Sequence, residues 1–313
     1  MNTEIKNNII TAALIWAETN SLTQNDLAKH AKINAGYLSN MLRNNYCVSV
    51  DGKDVEITDK WFFKLADAIG YAVKKQYWGI VQTKEFEKII HELRVAKAET
   101  KVITIINDTG LGKTYAVDRF CQVHPQHTYK ITVNSMYKVR DIISELAQML
   151  GVTNRYTSID TLWGIAKRLK DLKMMGHKPL IIIDEAENLK LPVIQMLKGL
   201  YDYIVGYATI CLIGTSQLID ALNRMARSNR IGAPQFYRRI KAGIIMVPSV
   251  NDFKPFYDKF KIEDKGLQKL LNSICNNYGE LHDYLEPAIR EADEAEKPLT
   301  EMFFRTIFNM PNY

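Results

Sequence analysis

The spacing of hydrophobic positions changes along the chain and separates an N-terminal segment from the remainder. In the first 80 residues, apolar side chains recur at intervals of three and four, as at Ile9, Ile10, Ala13 and Ala17. This spacing places them on one face of a helix. Beyond about residue 100, short and largely apolar runs alternate with helical stretches. Strands that are apolar on both faces predict a parallel sheet covered by helices.

The same pattern predicts the individual elements of the second part of the chain. The expected strands are 102–106, 129–133, 180–183, 209–213 and 244–247. The expected helices between them are 113–122, 138–150, 158–175, 190–204 and 217–227. A connecting helix precedes this region, and two helices follow it, at 81–95, 267–279 and 280–295. We therefore expect an α/β fold in three parts: an all-α domain 1–80, a core 81–249 and a helical lid 250–313.

Two short helices joined by a tight turn are predicted near residues 21–45. Ser21 or Thr23 can cap a first helix that buries Leu27 and Ala28, and a turn at 31–34 leads into the second helix. This order is typical of a helix-turn-helix, whose second helix enters the DNA major groove, and the stretch resembles phage-repressor-type domains. The polar residues expected to face DNA are Asn34, Tyr37, Ser39, Asn40 and Arg43.

An alternative function for this segment stays open, because a helical bundle that contacts protein has the same spacing. Residues 1–80 carry nine lysines and arginines against eight acidic residues, which weakens a DNA-binding interpretation without removing it. Polar base-reading groups need not be charged. A hairpin or loop over 47–57, turning at Asp51 and Gly52, separates the helix pair from a later helix at 61–70.

Composition narrows the class of protein. Hydrophobic residues make up 47% and charged residues 24% of the 313 residues, a balance typical of globular chains. Four cysteines are widely spaced and form no Cys-x-x-Cys pair, which argues against a zinc site or a disulfide framework. No apolar run approaches the ~20 residues that cross a bilayer. We expect a cytoplasmic protein, encoded by a bacterium, phage or transposon, without a membrane partner.

A glycine-rich loop follows the first predicted strand of the core and opens a helix. Its spacing matches G-x-x-x-x-G-K-[ST] except that Asn107 replaces the first glycine. Loop amides cradle phosphates in this motif, Lys113 should reach the β- and γ-phosphates of ATP, and Thr114 should ligate Mg²⁺. The expected nucleotide-binding residues are Asn107, Asp108, Thr109, Gly110, Leu111, Gly112, Lys113, Thr114 and Tyr115.

A second motif is the apolar strand that ends in Asp184 and Glu185. Asp184 fits a magnesium-holding role, directly or through water. Glu185 could polarise an attacking water as a general base. Asn134, after the second strand, is expected to hydrogen-bond Glu185, although a simple turn residue is an equal alternative. Thr215, or else Ser216, follows the fourth strand and could orient the water, with a helix cap as the competing explanation.

Positive charge is concentrated in one stretch of the core. The formal net charge is +6, and residues 221–247 contain six basic and no acidic residues. A solvated basic face is the ordinary interpretation. Arg239, or else Arg238, precedes the fifth strand, where an arginine finger could reach a neighbour's γ-phosphate. A second basic group, Lys130, Lys138 and Arg140, flanks the second strand and could follow a nucleic-acid backbone.

With these motifs in place, residues 81–313 resemble the AAA+ ATPases. His282 stands where many relatives carry an arginine that senses nucleotide from the lid, which puts that role in doubt. Together with the N-terminal helix-turn-helix, the chain resembles the Mu B transposition protein family. The resemblance implies ATP and Mg²⁺ as cofactors, filaments or rings on double-stranded DNA with little sequence preference, and stimulation of a transposase, with hydrolysis driving disassembly.

Two other functions remain compatible with the residues. A transcription regulator would bind one operator through the helix-turn-helix and use the ATPase as a nucleotide switch. A helicase loader or partition ATPase would share the same ATP chemistry and differ in its protein partner. Strong preference for one short DNA site would favour the regulator.

Overall fold

The computed structural model describes residues 3–50, 53–71, 77–228 and 232–311 of the chain. It divides into two compact units, Met1–Gln76 and Tyr77–Tyr313. No helix in the described ranges is both long enough and apolar enough to span a bilayer.

The first unit is mainly helical. Its elements are α1 Thr3–Thr19, α2 Gln24–His30, α3 Ala35–Leu42, β1 Cys47–Val50, β2 Lys53–Glu56 and α4 Asp59–Ala68. Thr23 caps α2 in a reciprocal capping box with Asp26, so it rather than Ser21 starts that helix. The strands β1 and β2 pair antiparallel. Residues 47–57, for which the sequence allowed a hairpin or a loop, therefore form a hairpin, and the unit is not all-α. The predicted turn at Asp51 and Gly52 lies outside the described residues.

The first unit has its own hydrophobic core. The helical spacing noted at Ile9, Ile10 and Ala13 places these side chains in the interior, against Leu38 and Phe62. Residues 31–34 form the turn between α2 and α3 that the sequence predicts. The N-terminal segment therefore folds around packed helices, and this part of the fold prediction is confirmed.

The second unit begins with α5 and alternates strands with helices. The sheet-containing part comprises α5 Lys84–Glu99, β3 Ile103–Ile106, α6 Lys113–Val123, β4 Thr128–Thr132, α7 Val139–Leu150, α8 Ser158–Met174, β5 Leu180–Asp184, α9 Leu191–Ile204, β6 Thr209–Gly214, α10 Ser216–Arg227, α11 Ala233–Ile240 and β7 Ile244–Met246. The helices that follow are α12 Lys254–Phe260, α13 Lys265–Ile274, α14 Tyr278–Glu294 and α15 Glu301–Ile307. Helices α11, α12 and α15, each of seven or eight residues, were not predicted.

The five strands form one parallel sheet in the order β4-β5-β6-β3-β7. Every residue of β3, β5 and β6 is buried, because helices cover both faces. The order places β6 between β3 and β5, so the loops after these three strands meet at one edge of the sheet. The predicted α/β fold with a parallel sheet is confirmed.

Helices α12–α15 pack around a separate apolar cluster. Leu267, Leu271, Leu281 and Phe304 are fully buried in it. Leu111, from the loop after β3, belongs to the same cluster. The C-terminal helices are therefore joined to the loop that precedes α6.

Candidate nucleotide-binding site

The loop between β3 and α6 has the backbone geometry of a phosphate cradle. Gly110 and Gly112 have φ angles of +77° and +76°, in the region that favours glycine. Lys113 then starts α6, whose first amides point towards the loop. Such an arrangement is suited to bind an anion at the helix N-terminus.

Asn107, the departure from the glycine pattern, supports the loop through its side chain. It is buried, its φ is not positive, and its Oδ1 accepts hydrogen bonds from Asp108 N at 2.8 Å and from the Ser249 hydroxyl at 3.3 Å. Ser249 also donates to Asp108 Oδ2 at 2.6 Å. Asn107 therefore contributes a hydrogen-bonding side chain to the loop and does not adopt the left-handed backbone that a glycine allows.

Lys113 is directed at its own loop. Its Nζ donates to the carbonyl oxygens of Asn107 at 3.0 Å and Asp108 at 2.7 Å. Burial lowers the pKa of Lys113, and the negative charges of Glu187 and Asp184 partly offset that effect. A third N–H of the ammonium is left for a further acceptor.

Asp184 ends β5 and is 1% exposed. Its Oδ1 accepts a hydrogen bond from Glu185 N at 3.0 Å, and its Oδ2 lies 3.3 Å from Lys130 Nζ. Lys130 also pairs with Asp118 of α6. Burial lowers the pKa of Lys130, but the hydrogen bond to Asp118 and the charge of Asp184 outweigh it and leave the pKa raised. Lys130 is one of the residues predicted to follow a nucleic-acid backbone, but its ammonium is already paired with two carboxylates of its own chain.

Glu185 is exposed beside Asp184, with a left-handed backbone at φ +53°. The amide of Asn188 reaches its Oε2 at 3.4 Å and donates to Val133 O at 3.1 Å. Asn134 instead accepts from Met136 N at 2.8 Å, within its own turn. The expected bond from Asn134 to Glu185 is therefore absent, and Asn188, three residues further along the same segment, contacts the carboxylate.

Thr215 follows β6 and is buried, and its hydroxyl has no hydrogen-bond partner among the described residues. It stands at the N-cap position of α10 but makes no capping hydrogen bond, so capping does not explain it. Ser216 is exposed. Glu187 Oε2 is likewise buried without a hydrogen bond, and a side chain at Gly214 would come within 2.5 Å of it. Glu187 was missed because an acidic residue after a strand gives no distinctive signal.

These residues surround one cavity of about 470 Å³. That volume lies within the range of small-molecule sites. Residues 109–115, Asp184, Glu185 and Thr215 border it, whereas Asn107 and Asp108 do not. The opposite wall comes from the segment before α5, from the first turn of α5 and from the C-terminal helices. Its aromatic members are Trp78, Phe86, Phe256, Tyr278 and His282.

Aromatic contacts order that opposite wall. Trp78 stacks on Phe256 and Phe260, with centroids 5.4 and 4.8 Å apart, and meets His282 edge-on at 4.8 Å. His282 also contacts the Asp283 carboxylate at 3.1 Å. The wall thus offers aromatic faces to the cavity. His282 places an imidazole at the position where the sequence resemblance led us to look for an arginine.

A buried carboxylate connects α5 with α14 and with the segment after β7. Glu85 of α5, 1% exposed, accepts hydrogen bonds from Val250 N at 2.7 Å, Asn251 N at 3.1 Å and the Tyr278 hydroxyl at 2.9 Å. In addition, Gly279 N donates to Gly110 O at 2.9 Å. These bonds fix α14 against the phosphate loop. Sequence inspection missed Glu85, since an acidic residue in the first turn of a helix is usually exposed.

The arginines before β7 have different surroundings. Arg239 pairs with Asp202 at 2.7 Å, donates to Gln235 O and lies over the Tyr201 ring. Arg238, its neighbour on α11, is exposed and pairs with no carboxylate in the described part of the chain. Neither borders the cavity. The preference for Arg239 is reversed, because only Arg238 projects an uncommitted guanidinium. Arg230, in the same basic stretch, lies outside the described residues.

The other residues predicted to bind DNA also differ in their surroundings. Lys138 and Arg140 are exposed at the start of α7. In the first unit, Asn34 caps α3 through Gly36 N, Asn40 bonds Gly36 O and Asn45, and Tyr37 packs edge-on against Trp61. Ser39 is half-buried and Arg43 is exposed. Three of these five side chains therefore already serve the fold.

The oxygen-bearing side chains at the cavity fit a magnesium ion that binds together with a nucleotide. No group of three or more His, Cys, Asp or Glu side chains in the described ranges could hold a metal by itself. Thr114 and Asp184 border the same cavity, and Mg²⁺ commonly takes one or two protein oxygens together with phosphate oxygens and water.

Comparison with known proteins agrees with this geometry. Residues 96–222 match the family model of the AAA domain. The solved structures of the Aeropyrum pernix ORC1 protein in complex with DNA and of the Aeropyrum pernix ORC2 protein in its ADP form are similar, with TM-scores of 0.51 and 0.52 at 15% identity. The matches cover 74% of this chain and 65% and 70% of those chains. Residues 96–222 are thus similar to an AAA domain, and the fold of the second unit is similar to that of these solved structures.

Its relatives in sequence are more specific. The chain is 22% identical over 304 residues to the ATP-dependent target DNA activator B of Escherichia phage Mu, a match that covers 88% of this chain and 92% of that protein. The DNA transposition protein B of a Mu-like prophage of Haemophilus influenzae is 26% identical over 177 residues, or 56% of this chain and 59% of that protein. Over most of its length, the chain is related to the Mu B transposition proteins.

Proposed function

We propose that the protein binds and hydrolyses ATP and, in its ATP-bound state, assembles on double-stranded DNA and presents it to a transposase. The observation that supports this most directly is the convergence of Lys113, Thr114, Asp184, Glu185 and Thr215 on one cavity. The relationship to target DNA activators supports the role of DNA.

Each residue has a separate task in the proposed reaction. The loop amides and Lys113 bind the phosphates, while Thr114 and Asp184 would hold Mg²⁺. Bound Mg²⁺ supplies positive charge that stabilises the transferred phosphoryl group. Glu185, exposed and held near Asn188, accepts the proton of the attacking water. The free hydroxyl of Thr215 orients that water.

A neighbouring protomer supplies the remaining charge in this proposal. Arg238 is exposed on α11, outside the cavity of its own chain. An arginine finger acts in trans when subunits assemble. Assembly would then depend on nucleotide, and hydrolysis would weaken the interface and release the DNA.

DNA is held mainly through its phosphates in this proposal. Lys138 and Arg140 are exposed near the end of the sheet that carries the cavity. Basic side chains that contact phosphates confer affinity without sequence preference. The first unit could add contacts through Arg43, or could contact the transposase.

Electron microscopy of the protein with ATP and random-sequence duplex DNA tests this function. We expect filaments or rings on DNA with ATP, and their loss when ADP replaces ATP. Isolated protomers bound at one short site would instead favour an operator-binding regulator. No nucleotide-dependent assembly on any duplex would contradict the proposal.

A further inference from the structure

Lys130 lies between two carboxylates that belong to different elements of the site. Its Nζ is bonded to Asp118 of α6 and lies 3.3 Å from Asp184 Oδ2 at the end of β5. The side chain is 17% exposed, that of Asp184 is 1% exposed and that of Asp118 is 52% exposed. The lysine thus joins the helix after the phosphate loop to the strand that ends in Asp184.

The sheet register explains why this lysine reaches Asp184. Thr132 pairs with Asp184 across β4 and β5, and Lys130 pairs with Ile182. Residues two apart on a strand share a face, so Lys130 and Asp184 are diagonal neighbours. The long lysine side chain spans the diagonal, and this places a permanent positive charge next to the carboxylate assigned to magnesium.

That charge has a direct consequence for a second cation. A positive charge within 4 Å interacts strongly with a partly buried partner, because water screens it less than at the surface. Lys130 therefore neutralises much of the attraction that Asp184 would exert on a divalent ion. The phosphates of a bound nucleotide would add the negative charge needed to restore that attraction.

We propose that Lys130 is a built-in counter-ion of Asp184 that weakens divalent-metal binding to the nucleotide-free site, so that metal and nucleotide enter together. This deepens the proposed ATP-binding function and rests on it. The role is one of positioning and charge balance, because Lys130 does not border the cavity. It also accounts for a basic residue that the sequence alone would place on DNA.

Replacement of Lys130 tests the inference on the full-length protein without nucleotide. The probe is Mn²⁺, followed by electron paramagnetic resonance, with Lys130→Met as the test variant. We expect Lys130→Met to bind Mn²⁺ roughly tenfold more tightly than wild type, because one positive charge next to Asp184 is removed. Lys130→Arg keeps the charge and should stay within about twofold of wild type.

A matched control separates this local effect from the overall change in charge. Lys167 is exposed on α8 and does not border the cavity. Lys167→Met removes the same charge from the surface and should leave Mn²⁺ affinity unchanged. Equal or weaker Mn²⁺ binding in folded Lys130→Met would overturn the inference, as would the same gain in Lys167→Met.

A second variant keeps the test decisive if Lys130→Met does not fold. Asp118→Asn removes the competing partner of Lys130, whose attraction to Asp184 then increases, and Mn²⁺ binding should weaken about twofold to threefold. Tighter Mn²⁺ binding in Asp118→Asn would contradict the inference. If the variants change Mn²⁺ affinity as expected but wild type binds no ATP analogue, the proposed function fails, while the inference about Lys130 and Asp184 stands.

Discussion

The two units of the chain use their sequence-marked residues in different ways. In the second unit, residues 109–115, Asp184, Glu185 and Thr215 meet at one cavity, and Lys113 Nζ donates to the carbonyl oxygens of the phosphate loop. In the first unit, three of the five residues marked for DNA are engaged in capping, hydrogen bonding or ring packing. The second unit carries a preformed site, whereas the marked face of the first unit carries few free groups.

This difference arises from what each motif requires. A phosphate loop needs glycines and a lysine at fixed spacing, because the backbone itself binds the ligand. A helix-turn-helix needs only a packed helix pair, and its surface can face DNA or protein. Spacing therefore predicts a site in the first case and only a scaffold in the second.

The largest effect is expected at Glu185, the proposed proton acceptor. Glu185→Gln should retain nucleotide binding and lower ATP turnover by about 10³-fold, because a positioned base contributes 10²- to 10⁴-fold. Phosphate release measures turnover, and a fluorescent ATP analogue measures binding. Glu187→Gln is the comparison variant, because Glu187 borders the same cavity and its Oε2 makes no hydrogen bond among the described residues. A wild-type rate of ATP turnover in Glu185→Gln would show that Glu185 is not the proton acceptor.

Lys113 should show the next largest effect. Lys113→Ala should weaken binding of a fluorescent ATP analogue by about a hundredfold, since a charge-assisted contact to phosphate is lost. Lys167→Ala is the matched exposed control on α8. Similar affinity in both variants would mean that the cavity is not a phosphate site, and the contrast between the two units would disappear.

The two neighbouring arginines of α11 are expected to have different roles, because Arg239 is paired within its own chain and Arg238 is exposed. Arg238→Ala should lower ATP turnover at least tenfold in the assembled state, a smaller loss than the largest known for arginine fingers, and leave nucleotide affinity of the protomer unchanged. Arg239→Ala should instead lower thermal stability, because Asp202 loses its partner. A loss of protomer affinity in Arg238→Ala, measured below the concentration of assembly, would contradict a finger that acts in trans.

Glu85 tests whether the C-terminal helices belong to the site. Glu85→Ala should destabilise the second unit by about 1–3 kcal/mol, because buried donors on Val250, Asn251 and Tyr278 lose their acceptor. Denaturant unfolding measures this change, and exposed Glu87→Ala on the same helix is the control. Equal stability of the two variants would show that the Glu85 carboxylate does not hold α14 and the segment after β7 in place.

The order of elements and the phosphate loop could be predicted from the sequence because they depend on local patterns. Largely apolar runs at 180–183 and 209–213 specify buried parallel strands, and the glycines before Lys113 specify the loop. The short helices α11, α12 and α15 were missed because no motif marks them, whereas the helix-turn-helix pattern marks α2 and α3, which are equally short.

The contacts that depend on tertiary packing could not be predicted. Lys130 looks like a basic surface residue until β4 and β5 are placed in register beside α6. Asn188 and Asn134 are both short polar residues after strands, and only the fold decides which one meets Glu185. Glu85 depends on donors more than 160 residues away.

In the proposed function, the second unit holds DNA without sequence preference when it has bound ATP. The most direct test measures the affinity for random-sequence duplex DNA against salt concentration, with ATP and without nucleotide, for wild type, Lys138→Ala/Arg140→Ala and Arg43→Ala. We expect ATP to strengthen binding, and the double variant to lower the log–log salt slope by about 0.9 for each lost phosphate contact, with Arg43→Ala near wild type. DNA binding that is equally strong with and without ATP, and that is lost only in Arg43→Ala, would show that the first unit and not the second holds the DNA.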